Sequence, residues 1–373
     1  MTIAVLIIFR SGTRVYGAQR RLMKIIQMLK KRRFFFAIIE DYPPLFSYIT
    51  DLNVTIRILH SQHLIMMFIW IMKCIIKSLN VIRILNNNKI KINFILVPVE
   101  DVYSFIPALI LSKLLRIPVI ITIHSLPRYY TEMKVRIFSC ASQCITVSKY
   151  IACQLKRYGI SSFKLTVSTN GIDYETLSKI KVAKEGGPEA IFIGRVSVIK
   201  GVYDLVRAWI YVNKILPTVK LGIVGDGDIN GLLHFIHYLK LSDNIKVYGW
   251  KPYREAISLL KASKVLILPS YIEGLPFVIL DALACNKEVV CYDLPQQREN
   301  FNSCPYIHFV PLRNIRKLAD SIVATLKSND KMSKDHSYIR CLSPFSWQRA
   351  LYYDLLGFLK ALKIMRKCKL SEK

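Results

Sequence analysis

Acidic residues are scarce in this chain: Asp and Glu total 25 against 54 Lys and Arg in 373 residues, a formal net charge of +29. Long apolar runs are missing too. The most membrane-like stretch, 64–72, ends before Lys73, and Lys77 and Arg83 break up the residues beyond it. A bilayer span needs about 20 apolar residues, so no transmembrane helix is expected. The apolar start, Met1 to Phe9, has no basic residue before it and no small-residue cleavage site after it. It fails as a signal peptide and reads as a buried first strand. Glycine and proline, 15 each, are too few for a collagen-like or low-complexity chain. The nine cysteines include no CxxC pair. An odd count in a long chain does not resemble a disulfide framework, so they read as reduced core thiols of a cytoplasmic protein. His60/His63 and His234/His237 are HxxH pairs without a third ligand at zinc spacing. They read as ordinary helix histidines, with no metal.

What is present is a large apolar fraction, 52% of the chain. That is too much for a disordered polycation and enough for a sizeable core without staples. The length fits two domains. Short β-branched runs at 3–9, 34–39, 54–58, 92–97, 117–123, 143–147 and 164–168 alternate with helical patterns at 17–31, 63–88, 103–115 and 149–158. A polar segment, 178–188, ends in Gly-Gly-Pro and reads as an interdomain linker. A second series comes after it, with strands at 189–193, 219–224, 245–248, 265–268, 288–292 and 307–310. Its helices fall near 202–214, 228–239, 253–262, 276–285 and 314–327. Such alternation implies two doubly wound α/β domains facing a cleft, with ligands bound outside the carboxyl ends of the strands.

The loops at those strand ends hold the chemistry. Strand 189–193 runs into Gly194-Arg195 and then Lys200-Gly201. Arginine offers a planar fork of donors to phosphate oxygens and lysine a flexible point charge, so together they suit a diphosphate, or, taken alone, simply solvate the loop. Strand 219–224 ends in Val224-Gly225-Asp226-Gly227, and strand 245–248 in Tyr248-Gly249-Trp250. The first is by itself only a tight turn; the second is ordinary turn chemistry or the flank of a nucleotide base. Strand 265–268 leads to Pro269-Ser270 and then Glu273-Gly274-Leu275-Pro276. Pro276 fits a helix start. Glu273 then lies in the loop and Asp281 inside the helix. A carboxylate there accepts from neutral hydroxyls, or is only a surface or helix-start charge.

In order and in register, these motifs resemble the retaining glycosyltransferases of family 4, which have the two-domain GT-B fold of Rossmann-like domains. Upstream, Val119-Ile-Ile-Thr-Ile-His124 resembles the strand that ends in the family's active-site histidine. Ser168-Thr-Asn170-Gly171-Ile-Asp173 resembles the loop at the interdomain crossover, and Phe345-Ser-Trp347 the segment before a final helix that crosses back. The resemblance implies a first domain over 1–170 plus the returning helix 346–373, facing acceptor and membrane. It implies a donor-binding second domain over 171–345. Arg195 and Lys200 would hold the donor diphosphate and stabilise the charge on the leaving nucleotide. Glu273 and the amides of Gly274 and Leu275 would face the transferred sugar, and Asp281 the ribose. Gly225 and Gly249 would line the donor site. His124 would orient the reacting groups, and Gly17 would let its loop approach the phosphates. The resemblance further implies retention of configuration by a front-face route and no cofactor or metal beyond a UDP- or GDP-linked sugar. No first-domain carboxylate stands out as a nucleophile.

Three positions depart from the family pattern. Asp281 is one methylene shorter than the usual second Glu. Tyr16 stands where a glycine is common. Asn286 follows Ala-Cys in place of glycine, and asparagine tolerates the left-handed backbone needed at a helix end. Three rival readings are another enzyme of the fold, such as a nucleotide-sugar epimerase, a nucleic-acid binder, and a catalytically dead scaffold prompted by Asp281 and Tyr16, against which the retention of His124, Arg195, Lys200 and Glu273 argues. The sugar-side motifs favour transfer, and the basic residues match no nucleic-acid recognition motif.

The charge has a location. Residues 1–165 carry 24 basic and 6 acidic side chains, 346–373 carry 7 and 2, and 166–345 carry 23 and 17. A first domain completed by the tail therefore holds +23 of the +29. This suits a peripheral protein on an anionic membrane surface that uses a lipid-linked oligosaccharide acceptor in cell-surface polysaccharide synthesis, O-antigen or capsule. The cluster Lys30-Lys31-Arg32-Arg33 and the basic helix 64–85 are the docking candidates. For the helix, a core element with a basic outer face is the other reading.

Overall fold

The computed structural model describes residues 2–10, 17–41, 50–56, 64–125, 132–183, 186–328 and 338–371. The chain divides into two units, Met1–Gly171 with Trp347–Lys373, and Ile172–Ser346.

The first unit runs β1 (Ile3–Phe9), α1 (Gly17–Lys30), β2 (Phe34–Asp41), β3 (Leu52–Ile56), α2 (Leu64–Asn87), β4 (Ile92–Val97), α3 (Val102–Leu115), β5 (Val119–Ile123), α4 (Glu132–Phe138), β6 (Gln143–Thr146), α5 (Lys149–Arg157) and β7 (Leu165–Val167). All seven strands pair in parallel in the order β3-β2-β1-β4-β5-β6-β7. A parallel sheet is covered on both faces. That is why Ala4 to Phe9 and Val119 to Ile121 are apolar without alternation and fully buried. Asp101 starts α3 by accepting from the amides of Tyr103 (3.2 Å) and Ser104 (3.0 Å), and Ser148 starts α5 through Ile151 N–H.

The second unit runs α6 (Tyr174–Ser178), β8 (Ala190–Ile193), α7 (Val202–Ile215), β9 (Leu221–Val224), α8 (Ile229–Tyr238), β10 (Ile245–Gly249), α9 (Tyr253–Ala262), β11 (Val265–Leu268), α10 (Phe277–Ala284), β12 (Glu288–Tyr292), α11 (Pro295–Phe301), β13 (Ile307–Val310), α12 (Ile315–Lys327) and α13 (Tyr338–Leu342). Its six parallel strands are ordered β10-β9-β8-β11-β12-β13. The last helix, α14 (Trp347–Ser371), leaves this unit and completes the first. There Phe358 packs on Phe94 with ring centroids 4.9 Å apart, and Asp354 pairs with Arg21 at 2.6 Å. The chain is thus α/β with two Rossmann-like sheets and a returning terminal helix. The sequence reading lacked α4, α6, α11 and α13. Each is seven residues or fewer, too short to show a 3.6-residue period.

Two expectations need correction. Segment 178–188 does not join the two units; it lies within the second. Lys261 Nζ donates to the carbonyls of Leu177 (2.7 Å) and Ile180 (2.6 Å), and Ala183 N–H to Ser258 O, fastening the segment to α9. The cysteines are not all free either. Cys304 and Cys341 form a disulfide with Cα atoms 5.3 Å apart. The end of α11 and the helix α13 meet in space across 37 residues of chain, a proximity that spacing cannot reveal. Cys74 and Cys144 are buried thiols that burial pushes up to about 12. At the end of α10, Asn286 does adopt left-handed backbone, φ 57°.

Candidate active site

In a doubly wound sheet the ligand crevice opens where the strand order reverses. In the second unit that point lies between β8 and β11, whose trailing loops hold Gly194 to Gly201 and Pro269 to Pro276. Backbone contacts tie the neighbouring loops together. Gly194 N–H donates to Val224 O (2.9 Å), Val196 N–H to Asp226 O (2.6 Å), Gly225 N–H to Gly249 O (2.9 Å) and Tyr271 N–H to Ile199 O (2.8 Å). The approach is close enough that a Cβ on Gly201 would fall onto Pro269 O, and one on Gly225 onto Gly194 O. Both glycines also hold positive φ, 67° and 153°. This is why the loops carry glycine there.

Within this frame Lys200 Nζ meets Glu273 Oε1 at 2.6 Å. Glu273 is buried and Lys200 partly so. Gln296 Nε2 donates to the Glu273 carbonyl at 2.6 Å, holding the loop from the α11 side. Beneath it, the buried Asp204 on α7 accepts from Tyr271 (2.5 Å) and Tyr292 (2.7 Å). Burial and then the Asp204 carboxylate push the Tyr271 hydroxyl up to about 12 and the Tyr292 hydroxyl higher still. Both stay protonated donors across the neutral range. Asp281, buried in α10, accepts from Tyr253 Oη at 3.0 Å. Gly274 and Leu275 are buried, Arg195 is exposed on its loop, and Gly249 has positive φ, 67°.

The first unit holds the other sequence-picked residues. His124 sits directly after β5, and its Nε2 lies 3.1 Å from Pro98 O. A carbonyl only accepts, so Nε2 carries the hydrogen and Nδ1 keeps its lone pair. Burial, with Arg21 second, lowers the imidazole to about 3, so it is neutral at any ordinary pH. Its backbone N–H donates to Glu100 Oε2 at 2.8 Å, and Ser125 donates to Glu100 Oε1 from N–H (3.0 Å) and hydroxyl (2.7 Å). Burial raises Glu100 above the usual carboxylate range. Arg21 bonds Ser168 Oγ (2.9 Å) as well as Asp354, and His124, Arg21, Asp354 and Ala18 line one small cavity. Gly17, the residue before Ala18, opens α1. Tyr16, His60 and His63 lie outside the described residues, while His234 and His237 sit on α8.

Of the sequence-picked residues, the structure joins Lys200 to Glu273 directly. It ranges Arg195, Gly225, Gly274 and Leu275 on the tied loops around them, with Asp281 on the helix beyond. Glu100, Arg21, Asp354, Asp204, Tyr253 and Tyr292 were missed. Only Glu100 had a legible signal, because it follows β4 just as His124 follows the adjacent strand β5. A separate cavity of about 770 Å³ in the second unit is lined by Lys220, Asn244 and Lys246, at the amino ends of β9 and β10. It is therefore distinct from the loops that hold Glu273.

Paired Rossmann-like sheets with a returning terminal helix define the GT-B class. Over residues 173–339 the chain matches the model for glycosyl transferases group 1, and over 15–176 that for Glycosyltransferase Family 4. Together these span most of its length, and the chain belongs to the family 4 glycosyltransferases. It is 35% identical over 104 residues to an uncharacterized glycosyltransferase of Methanocaldococcus jannaschii, covering 28% of this chain and 25% of that one. It is 28% identical over 142 residues to the Escherichia coli UDP-Gal:alpha-D-GlcNAc-diphosphoundecaprenol alpha-1,3-galactosyltransferase, covering 34% and 36%. These matches therefore span well under two-thirds of either relative. Anabaena HepE, crystallised with UDP and glucose, shares the fold with a TM-score of 0.72 at 15% identity, over 99% of this chain and 100% of that one.

Proposed function

We propose that this chain moves a sugar from a UDP- or GDP-linked donor to a lipid-linked glycan with retention of configuration, in cell-surface polysaccharide synthesis. The observation that carries the reading is the Lys200–Glu273 pair, set at 2.6 Å on tied loops at the switch point. A cation and a carboxylate side by side match the two halves of a nucleotide sugar. Lys200 and Arg195 take the diphosphate, and Glu273 accepts from hydroxyls of the sugar. Asp281, steadied by Tyr253, takes the ribose. As the glycosidic bond breaks, negative charge grows on the leaving diphosphate. Fixed cations stabilise it without reorganisation, often the largest catalytic contribution. That is the basis for proposing transfer without a metal. His124 is assigned to orienting the sugar as a neutral acceptor at Nδ1. The Escherichia coli relative, by its name, uses a diphosphoundecaprenol acceptor. That supports a lipid diphosphate here, as does the excess of basic residues in the first unit. A peripheral place on the membrane face is proposed from the same charge.

The test is a donor screen with purified protein and membrane-lipid extract, read by mass spectrometry. Arg195→Ala and Lys200→Ala should each lower turnover by about a hundredfold or more while thermal unfolding is retained. Unchanged rates in both would remove the diphosphate assignment. Glu273→Gln should lower turnover far more than affinity for the free nucleotide. Activity should persist in excess EDTA.

A further inference from the structure

In the first unit, α2 and α3 pack against each other. The two crossovers, β3 to β4 and β4 to β5, advance in the same direction across the sheet. Being right-handed, they place both helices on one face. The side of α2 turned inward carries Trp70, Cys74, Ser78, Val81 and Leu85, all buried. The side turned outward is not the polar surface that such a helix normally shows. Phe68 (63% exposed), Met72, Ile76 and Ile84 stand in solvent there, and α3 adds Ile110 and Leu114. The first three recur at intervals of four residues, which places them along one side of the helix.

Among these apolar side chains stand exposed cations: Lys73, Lys77 and Arg83 on α2 and Lys113 on α3. Neither helix contains an acidic residue. The two acids between them are both occupied. Glu100 accepts from His124 and Ser125, and Asp101 caps α3. Among the described residues, the outer sides of α2 and α3 therefore carry bulky apolar groups and cations, and neither helix supplies a compensating carboxylate. No described helix is long and apolar enough to cross a membrane, so a spanning role is closed to α2.

From this combination we infer that the outer face of α2 and α3 docks on an anionic lipid bilayer, lying in its surface. Phe, Met, Ile and Leu side chains gain by entering the acyl boundary, and lysine and arginine reach back to anionic headgroups from an interfacial helix. Charge complementarity selects this occupant: a second copy would set cation against cation across the contact. The inference rests on the membrane part of the reading above and names the surface that part requires. It is separate from Lys30 to Arg33, which close α1 and of which Lys30 already pairs with Asp51 at 3.0 Å.

The experiment is co-sedimentation of the full chain with phosphatidylcholine vesicles, with and without 30% phosphatidylglycerol, at about 0.1 M salt. Binding is expected only to the anionic vesicles. Lys73→Glu with Lys77→Glu and Arg83→Glu should weaken it at least tenfold. Phe68→Ser with Met72→Ser and Ile76→Ser should abolish the part that resists high salt. All six positions are exposed, so unfolding temperature should not move. Reversal at Lys31 and Arg32 should have much the smaller effect. Binding unchanged in both triple variants would overturn the inference. So would sedimentation equilibrium showing a dimer that the serine variant dissolves. Transfer to a detergent-dispersed acceptor is measured alongside. Failure of transfer with intact vesicle binding counts against the chemistry, and the converse against the surface.

Discussion

His124 shows how one residue's surroundings set its chemistry. Its imidazole is neutral in the folded chain because burial, and then Arg21, oppose a charge there. An unfolded chain takes up that proton as pH falls below about 6.5. The neutral ring's contribution to stability is therefore whole above 6.5 and is lost progressively as pH falls toward 3. His124→Asn, with no ring to titrate, should lack that loss. The difference in unfolding temperature between wild type and variant should narrow between pH 6.5 and 4, read by scanning fluorimetry at successive pH values. A gap independent of pH would mean that His124 is charged when folded. Legibility at this scale followed chemistry. Lys200, Glu273 and His124 stand at strand ends in recognisable motifs, and the first two prove to be in contact. Asp204 and Tyr292 lie 88 residues apart, and only the folded sheet brings hydroxyl to carboxylate.

Among elements, the returning helix is held by a buried ion pair. Arg21 on α1 and Asp354 on α14 have side chains only 4% and 2% exposed. Breaking such a pair strands a charge out of water. Asp354→Leu should cost about 3 kcal/mol or more in urea unfolding of the first unit. Arg21→Met combined with Asp354→Leu should recover most of that loss, since no charge is then left alone. Equal losses in single and double variants would show that the pair is not the fastening. The strands and longer helices were legible within a few residues because continuous apolar runs and 3.6-residue stripes report local burial. The short helix α11 was not, although its Gln296 supports Glu273. Neither was the fate of 178–188. A polar stretch closing in Gly-Gly-Pro looks like a linker whether or not a lysine elsewhere, here Lys261, ties it down.

For the whole molecule, the two units differ in what holds them. The second contains the Cys304–Cys341 disulfide, which closes a long loop. By the loop-entropy relation such a closure is worth about 4 kcal/mol. Reductant should lower the unfolding transition of the second unit and leave that of the first in place, as should Cys304→Ser without reductant. A shift in both transitions would show that the units do not unfold independently. Charge is divided as unevenly as crosslinking. The sequence already placed most of the excess in the first unit, but could not say which face would present it beside bare apolar side chains.

The placement of α14 bears on how the protein is made. Translation delivers the first sheet early but its last helix only after every residue of the second unit has been made. Until then the surfaces of β5, β6 and β7 that receive α14 have no covering, and the guanidinium of Arg21 lacks its carboxylate partner. The unit that begins first is thus finished last, and its nascent form exposes apolar surface for the whole time that the other takes to emerge. A message cut short before codon 347 would yield a sound second unit attached to an incomplete first one, a product marked for chaperones and proteases by the half that was synthesised first.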